Sequence, residues 1–224
     1  NIMTNVRTNA RDSAISLNSA EFSFICAFVY DSTGIVLNEG KREMLYRRLS
    51  RIVRERKLDS FSSYCRLLKS QPEQERDYFI NAITTNLTSF FREQHHFDYI
   101  KQHEIPRIIK NGQANNKRLR IWSSASSTGE EPYSIAITLV EAMKSVISNW
   151  DVKILATDID SDVLAKGKNG VYEIGRIEDI STVLTKKYFQ KGDGENSSNV
   201  KVSKVLQQLI TFKQLNLLQN WPMN

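Results

Sequence analysis

Apolar residues recur every three to four positions through the first third of the chain and then gather into continuous runs, and this change of period divides the sequence in two. From Ser19, the residues Phe22, Ile25, Cys26 and Val29 fall at helical spacing, and Gly34 supplies a stop. Between Gly40 and Lys57, Leu45, Leu49, Ile52 and Val53 gather on one side of a helical wheel, opposite Arg47, Arg51 and Arg54. Ser60 reads as the N-cap of a third helix with Tyr64, Leu67 and Leu68 inward, and Pro72 opens a fourth that runs through Phe79 and Ile83. Four short helices predict a small all-α domain over residues 19–83. Residues 1–18 are polar and aperiodic and are expected to fray.

A further helical stretch from Arg92 to Lys110 is closed by Asn111-Gly112. LRIWSSAS is then a continuous apolar strand, PYSIAITLVEAMK a helix, VKILATDID a second strand and SDVLAKGKNG a helix with a glycine stop. Strand and helix in alternation imply a parallel sheet, so residues 84–224 read as an α/β domain. From about 170 to 211 the alternation breaks. KKYF, a glycine-containing turn from Lys191 to Asn199 and the alternating VKVSK predict a small antiparallel insertion, after which ITFKQLNLL is the third core strand.

Composition narrows the setting. The longest apolar run, Phe24 to Tyr30, has the length of a core helix and falls short of the ~20 residues a membrane span needs. There is no recognisable secretion signal. Cys26 and Cys65 lack Cys or His neighbours at metal spacing, which argues against a disulfide framework or zinc site and fits a cytoplasmic protein without membrane insertion. The net charge of +6 is concentrated, with eight Lys or Arg against three Glu between Asn38 and Lys57. Such a segment attracts an acidic partner, whether nucleic acid, anionic lipid or protein, while the simpler alternative is a solvated helix face.

The chemistry centres on two turns. Asp158 ends the second strand, 29 residues after Gly129 in the first strand-to-helix turn. An acid there accepts hydrogen bonds from ribose hydroxyls in Rossmann-like sheets, although it could instead cap the helix starting near Asp160 or Ser161. The turn Ser126, Ser127, Thr128, Gly129 lacks G-x-G-x-x-G, and Glu130 and Glu131 would repel a pyrophosphate. They suit a ligand with cationic groups and no phosphate, such as S-adenosylmethionine, unless they merely complement the helix dipole. Asn86 and Thr88 stand in TTNLTSFFRE, Thr84 to Glu93, as a polar loop or a capped helix end. His95, His96 and His103 share a helix, with His95 and His96 expected to point apart, and read as surface and core residues without a base or metal role.

TTNLTSFFRE, WSSASSTGEEPYS and ATDID, in this order, resemble the CheR family of chemotaxis receptor methyltransferases, from about Gly40 to Leu218. The resemblance implies a Rossmann-like S-adenosylmethionine-dependent methyltransferase domain with an antiparallel β insertion, preceded by a small all-α domain. The reaction it implies is methyl transfer from S-adenosylmethionine to receptor glutamates in chemotactic adaptation, giving methyl esters and S-adenosylhomocysteine, by a monomer that uses no metal and binds no nucleic acid. It assigns Glu131 to the donor's amino-acid end, Asp158 to the ribose, Asn86 and Thr88 to closure over the donor, Arg92 to donor contact and catalysis, and Asn216 and Leu217 to the adenine. Lys41, Arg48, Arg51 and Arg54 are assigned to docking on the receptor's cytoplasmic helices.

The loop over 190–202 matches the one with which some members hold a receptor's C-terminal pentapeptide; it keeps Gly192 and Gly194 but has Ser198 for a third glycine. Lys191 and Lys201 there replace arginines, which loses bidentate geometry. Family members continue beyond the third strand, so the sheet is expected to be truncated at the C-terminus. A noncatalytic receptor-binding fragment is therefore one alternative, and an RNA methyltransferase, favoured by basicity but not by the carboxylate-rich turn, is another.

Overall fold

A computed structural model of the protein describes residues 16–112 and 116–221, so most of the fraying expected for residues 1–18 lies outside the described residues. The chain separates into two compact units, Asn1–Ile83 and Thr84–Asn224.

The first unit holds α1 (Ser19–Thr33), α2 (Arg42–Glu55), α3 (Phe61–Ser70) and α4 (Pro72–Ile83). Asn18 begins α1 with a reciprocal capping box to Glu21, and Gly34 ends it in the left-handed conformation with φ 74°. Ser60 caps α3 as its sequence implies. Ile25, Val29, Leu45, Leu49, Ile52, Phe61, Leu68 and Phe79 form the interior, joined by Tyr64. Leu67, expected inward, is only partly buried, because Cys65 takes the interior position on that face.

The basic stretch of α2 is less uniformly solvated and less unpaired than its composition suggests. Arg47 lies 3.5 Å from Glu43 and Arg51 3.5 Å from Glu55, so the one-sided charge is partly neutralised along the helix. Arg48, grouped by resemblance with the docking residues, turns inward: it is partly buried and donates to the carbonyl of Ile83 at the end of α4. Lys41, Arg51 and Arg54 are exposed.

The second unit begins with a loop over 84–94 and continues into α5 (His95–Tyr99), a π-helical turn (Ile100–Glu104) and α6 (Ile105–Asn111). The single helix expected here is therefore interrupted. Pro106, in the first turn of α6, has no amide to donate, and the ladder widens so that Ile105 N–H bonds to the Ile100 carbonyl five residues back.

Three parallel strands follow: β1 (Arg118–Ser124), β2 (Asp151–Asp158) and β6 (Ile210–Gln214), with β2 in the middle. The register places Ser124 beside Thr157 and Asp158 beside Gln214, so all three carboxyl ends open on one edge. Between β1 and β2 runs α7 (Glu130–Met143), buried on more than one face through Tyr133, Ala136, Ile137, Leu139 and Met143. After β2 comes α8 (Ser161–Asn169), ended by Gly170 at φ 62°.

The insertion is a second, antiparallel sheet of β3 (Val171–Glu173), β4 (Phe189–Lys191) and β5 (Asn199–Val202) in the order β3-β5-β4. It also carries α9 (Thr182–Tyr188), with α10 (Lys204–Gln207) leading to β6. The KK of KKYF closes α9, and only the phenylalanine enters a strand. Among the described residues no helix is long and apolar enough to cross a membrane.

Candidate functional site

The site forms where the carboxyl ends of β1 and β2 meet the N-terminus of α7, the position open α/β sheets give to ligands. The turn after β1 is shaped by close approach. Gly129 has φ 95°, and a Cβ there would lie 3.0 Å from Gly167 Cα, 3.1 Å from Tyr172 Oη and 3.2 Å from a Phe212 ring carbon. No larger residue fits without displacing α8 or β6. Ala125 (φ 54°) and Ser127 (φ 48°) in the same turn are also left-handed, at roughly 1–2 kcal/mol each for residues with a Cβ.

Tyr172 Oη donates to the Thr128 carbonyl at 2.7 Å and Tyr133 Oη to the Gly167 carbonyl at 2.8 Å. Burial raises both phenols above their ordinary range, and the Glu130 carboxylate adds to the effect on Tyr172, so both remain protonated donors.

Asp158 is 7% exposed, and its carboxylate accepts from Ser127 N at 2.8 Å and Asp160 N at 3.0 Å. Helix capping falls to Asp160, which accepts from Asp162 N and Val163 N, so Asp158 is not the N-cap of α8. Each Asp158 oxygen accepts one backbone amide and has capacity for a further hydrogen bond.

The two acids opening α7 separate in role. Glu130 is 1% exposed and accepts from Thr128 Oγ1 at 2.6 Å and from Arg176, so it is committed internally and cannot serve a ligand cation. Glu131 is exposed and accepts from Ser123 Oγ at 2.7 Å, which fixes its carboxylate at the crevice. Ser126 and Ser127 hydroxyls are buried there with no hydrogen-bond partner. Unpartnered buried hydroxyls with one anchored carboxylate fit a ligand of mixed polarity bearing a cation.

The loop over 84–94 reaches the same turn. Thr84 Oγ1 and Asn86 Nδ2 donate to Asp160 at 2.7 and 2.8 Å, so the Asn86 amide is spent on anchoring the loop and only its carbonyl oxygen is left for a ligand. Thr88 accepts from Arg176 through its carbonyl at 2.8 Å. Arg92 is exposed and donates to the Leu87 carbonyl at 3.1 Å, and left-handed Phe91 (φ 51°) and Glu93 (φ 57°) flank it. Arg92 is thus exposed beside a core that holds Phe90 and Phe97. Asn216 and Leu217 follow β6 instead of ending it; Asn216 Oδ1 accepts from Leu218 N at 3.0 Å, and Leu217 is 45% exposed.

Sequence reasoning missed Asp160 and Arg176. The first had a signal, a second acid two residues after Asp158, whereas Arg176 lies in a segment without periodicity. The histidines also differ from expectation: the His95 and His96 rings stand 4.1 Å apart, and none of His95, His96 and His103 is in the core, because Phe97 and Ile105 take the buried positions. Together with Glu93, His95 and His96 bring ligand atoms within 4.8 Å of one another, all three residues exposed.

In the insertion, Gln190, Lys191, Gly192, Asp193, Asn199 and Lys201 border a cavity of about 480 Å3. A Cβ on Gly192 would lie 2.3 Å from the Asn196 carbonyl oxygen, so the turn that shapes the cavity needs glycine.

Residues 86–224 match the family of the CheR methyltransferase SAM binding domain, and residues 20–84 match the CheR methyltransferase all-alpha domain. The chemotaxis protein methyltransferase of Salmonella typhimurium is 41% identical over 206 residues, covering 92% of this chain and 68% of that protein. Chemotaxis protein methyltransferase 2 of Pseudomonas aeruginosa is 44% identical over 199 residues, covering 89% and 68%. The chemotaxis protein methyltransferase of Borreliella burgdorferi is 35% identical over 216 residues, covering 96% and 75%.

Proposed function

This chain belongs to the CheR methyltransferase family, and from that premise we propose that it transfers a methyl group from S-adenosylmethionine to glutamate side chains of chemotaxis receptors, leaving glutamate methyl esters and S-adenosylhomocysteine. One observation carries the reading: of the two acids at the start of α7, one is neutralised internally and the other is held at the crevice beside buried, unpartnered serine hydroxyls. A phosphate-bearing cofactor would meet an unopposed carboxylate at that position. The donor supplies an electrophilic methyl on a sulfonium. Glu131 takes its ammonium end, Asp158 its ribose hydroxyls, and Asn216 and Leu217 border its base.

The protein does not need a general base. A glutamate with an ordinary pKa near 4.3 is already a carboxylate at neutral pH. The protein's work is to align and dehydrate that carboxylate, and Arg92, exposed at the end of the loop over 84–94, is the group that orients it. Lys41, Arg51 and Arg54 present positive charge to the receptor's helices, and the cavity beside Lys191 and Lys201 holds a receptor C-terminal peptide.

Calorimetric titration with S-adenosylhomocysteine, paired with methyl incorporation into receptor cytoplasmic fragments, tests this. Saturable 1:1 binding and base-labile incorporation are expected. Binding without incorporation would remove the glutamate reaction, and absence of binding would remove the donor site.

A further inference from the structure

We propose that Arg176 is a positioning residue that clamps the loop over 84–94 to the N-terminus of α7, so that the insertion sets the geometry of the donor site as well as adding a surface to it. Arg176 lies in the single helical turn Ile174–Ile177 that follows β3. Its Nη2 donates both to the Glu130 carboxylate and to the Thr88 carbonyl, the latter at 2.8 Å. Glu130 is almost fully buried, whereas the Arg176 side chain is 41% exposed, so the arginine acts as a plug over an acid that has no second cation among the described residues. Removing the guanidinium would leave that buried side chain without its compensating charge.

Other contacts bind the same loop to the same two elements. The Phe90 ring meets Tyr172 edge-on at 5.0 Å and Phe189 at 5.3 Å, both in the insertion, and Phe91 N donates to Ser134 Oγ of α7 at 2.9 Å. The far end of the loop is tied separately, through Thr84 and Asn86 to Asp160. Arg176 is the one charged contact between the insertion and the middle of the loop among the hydrogen bonds described. The Phe90 contacts give the loop its depth, and Arg176 fixes its register relative to α7. Of these contacts only the guanidinium touches loop, helix and insertion together.

The effect on the donor rests on the proposed methyltransferase reading, but the clamp itself does not. Arg176→Met keeps the length and apolar stem of the side chain and removes the charge, and Arg176→Lys restores the charge on a shorter stem. Amide hydrogen exchange of the ligand-free protein should quicken at least tenfold across residues 86–92 in R176M, remain unchanged in β1 and β2, and return partway toward wild type in R176K. Affinity for S-adenosylhomocysteine should fall at least fivefold in R176M and recover partly in R176K. A folded R176M with wild-type exchange over 86–92 would overturn the clamp. If R176M does not fold, R176K decides: exchange and affinity indistinguishable from wild type overturn the register argument, since a lysine does not reach both acceptors. Wild-type protein that fails to bind S-adenosylhomocysteine would count against the proposed function and leave the exchange result standing.

Discussion

Asp158 joins two tasks in one carboxylate. It ties Ser127 and Asp160 into the crevice floor and, on the proposed reading, holds the donor's ribose, so its replacement removes a brace together with that proposed contact. Asp158→Ala should weaken S-adenosylhomocysteine by about 1 to 3 kcal/mol, the span for a hydrogen bond to a charged group, and calorimetry on the folded variant checks it. Arg92 differs because, among the described residues, its hydrogen bonds stay within its own loop. Arg92→Ala should lower kcat for receptor methylation by at least tenfold with donor affinity within about threefold of wild type, and an equal loss in both would make Arg92 a donor ligand instead.

The residues also show where reading a sequence stops. The position of Asp158 could be read because it closes an apolar strand, and the structure ends β2 on it. Glu130 and Glu131 could not be told apart, since one position of helix rotation turns one acid inward and its neighbour outward. Only the presence of Arg176, 46 residues away, decides which is neutralised.

At the scale of elements, α2 carries the clearest consequence. Its buried face of Leu45, Leu49, Ile52 and Val53 fixes the orientation of the opposite face, and Arg51 and Arg54 stay exposed there. Their field is screened over about 8 Å at physiological salt. Reversing both charges should raise KM for the receptor severalfold, flatten its dependence on salt, and leave S-adenosylhomocysteine affinity unchanged. The pairing of Arg51 with Glu55 on the same helix predicts that reversing Arg51 alone does less than reversing Arg54 alone.

The helices of the first unit and the three parallel strands were legible because their apolar periods are regular and their caps, Ser60 and Gly34 among them, are chemically specific. The insertion was only half legible. β3 has just three residues and follows directly on a helix stop, too short to show alternation, and the two lysines of KKYF prefer the last turn of α9, where they face the helix C-terminus. The π-turn left no periodic trace, because Pro106 marks it only once the helix around it is known.

For the whole molecule, the division into two compact units separates the proposed tasks: docking charge in one, donor chemistry in the other. Ligand binding stabilises only what it orders, by about 2.7 kcal/mol at a hundredfold excess over Kd. Saturating S-adenosylhomocysteine should therefore slow amide exchange in β1, β2, α7 and the loop over 84–94 while leaving α1 to α4 as they were. Equal protection throughout both units would show that they unfold as one.

The parallel pairing of β2 with β6 has a separate consequence, for the order of folding. Ile154 lies against Ile210, and the chain between must return before that ladder can close. A featureless loop of roughly fifty residues would make the closure slow, with an entropic cost that grows only logarithmically with length. This loop is not featureless: β3, β4 and β5 pair within it, and Val202 N bonds to the Gly170 carbonyl, bringing its two ends close. Once that local sheet has formed, β6 has only the short distance from Val202 to travel. The insertion is in this sense a folding device, and mutations that weaken the β3–β5 ladder should slow refolding more than they hasten unfolding.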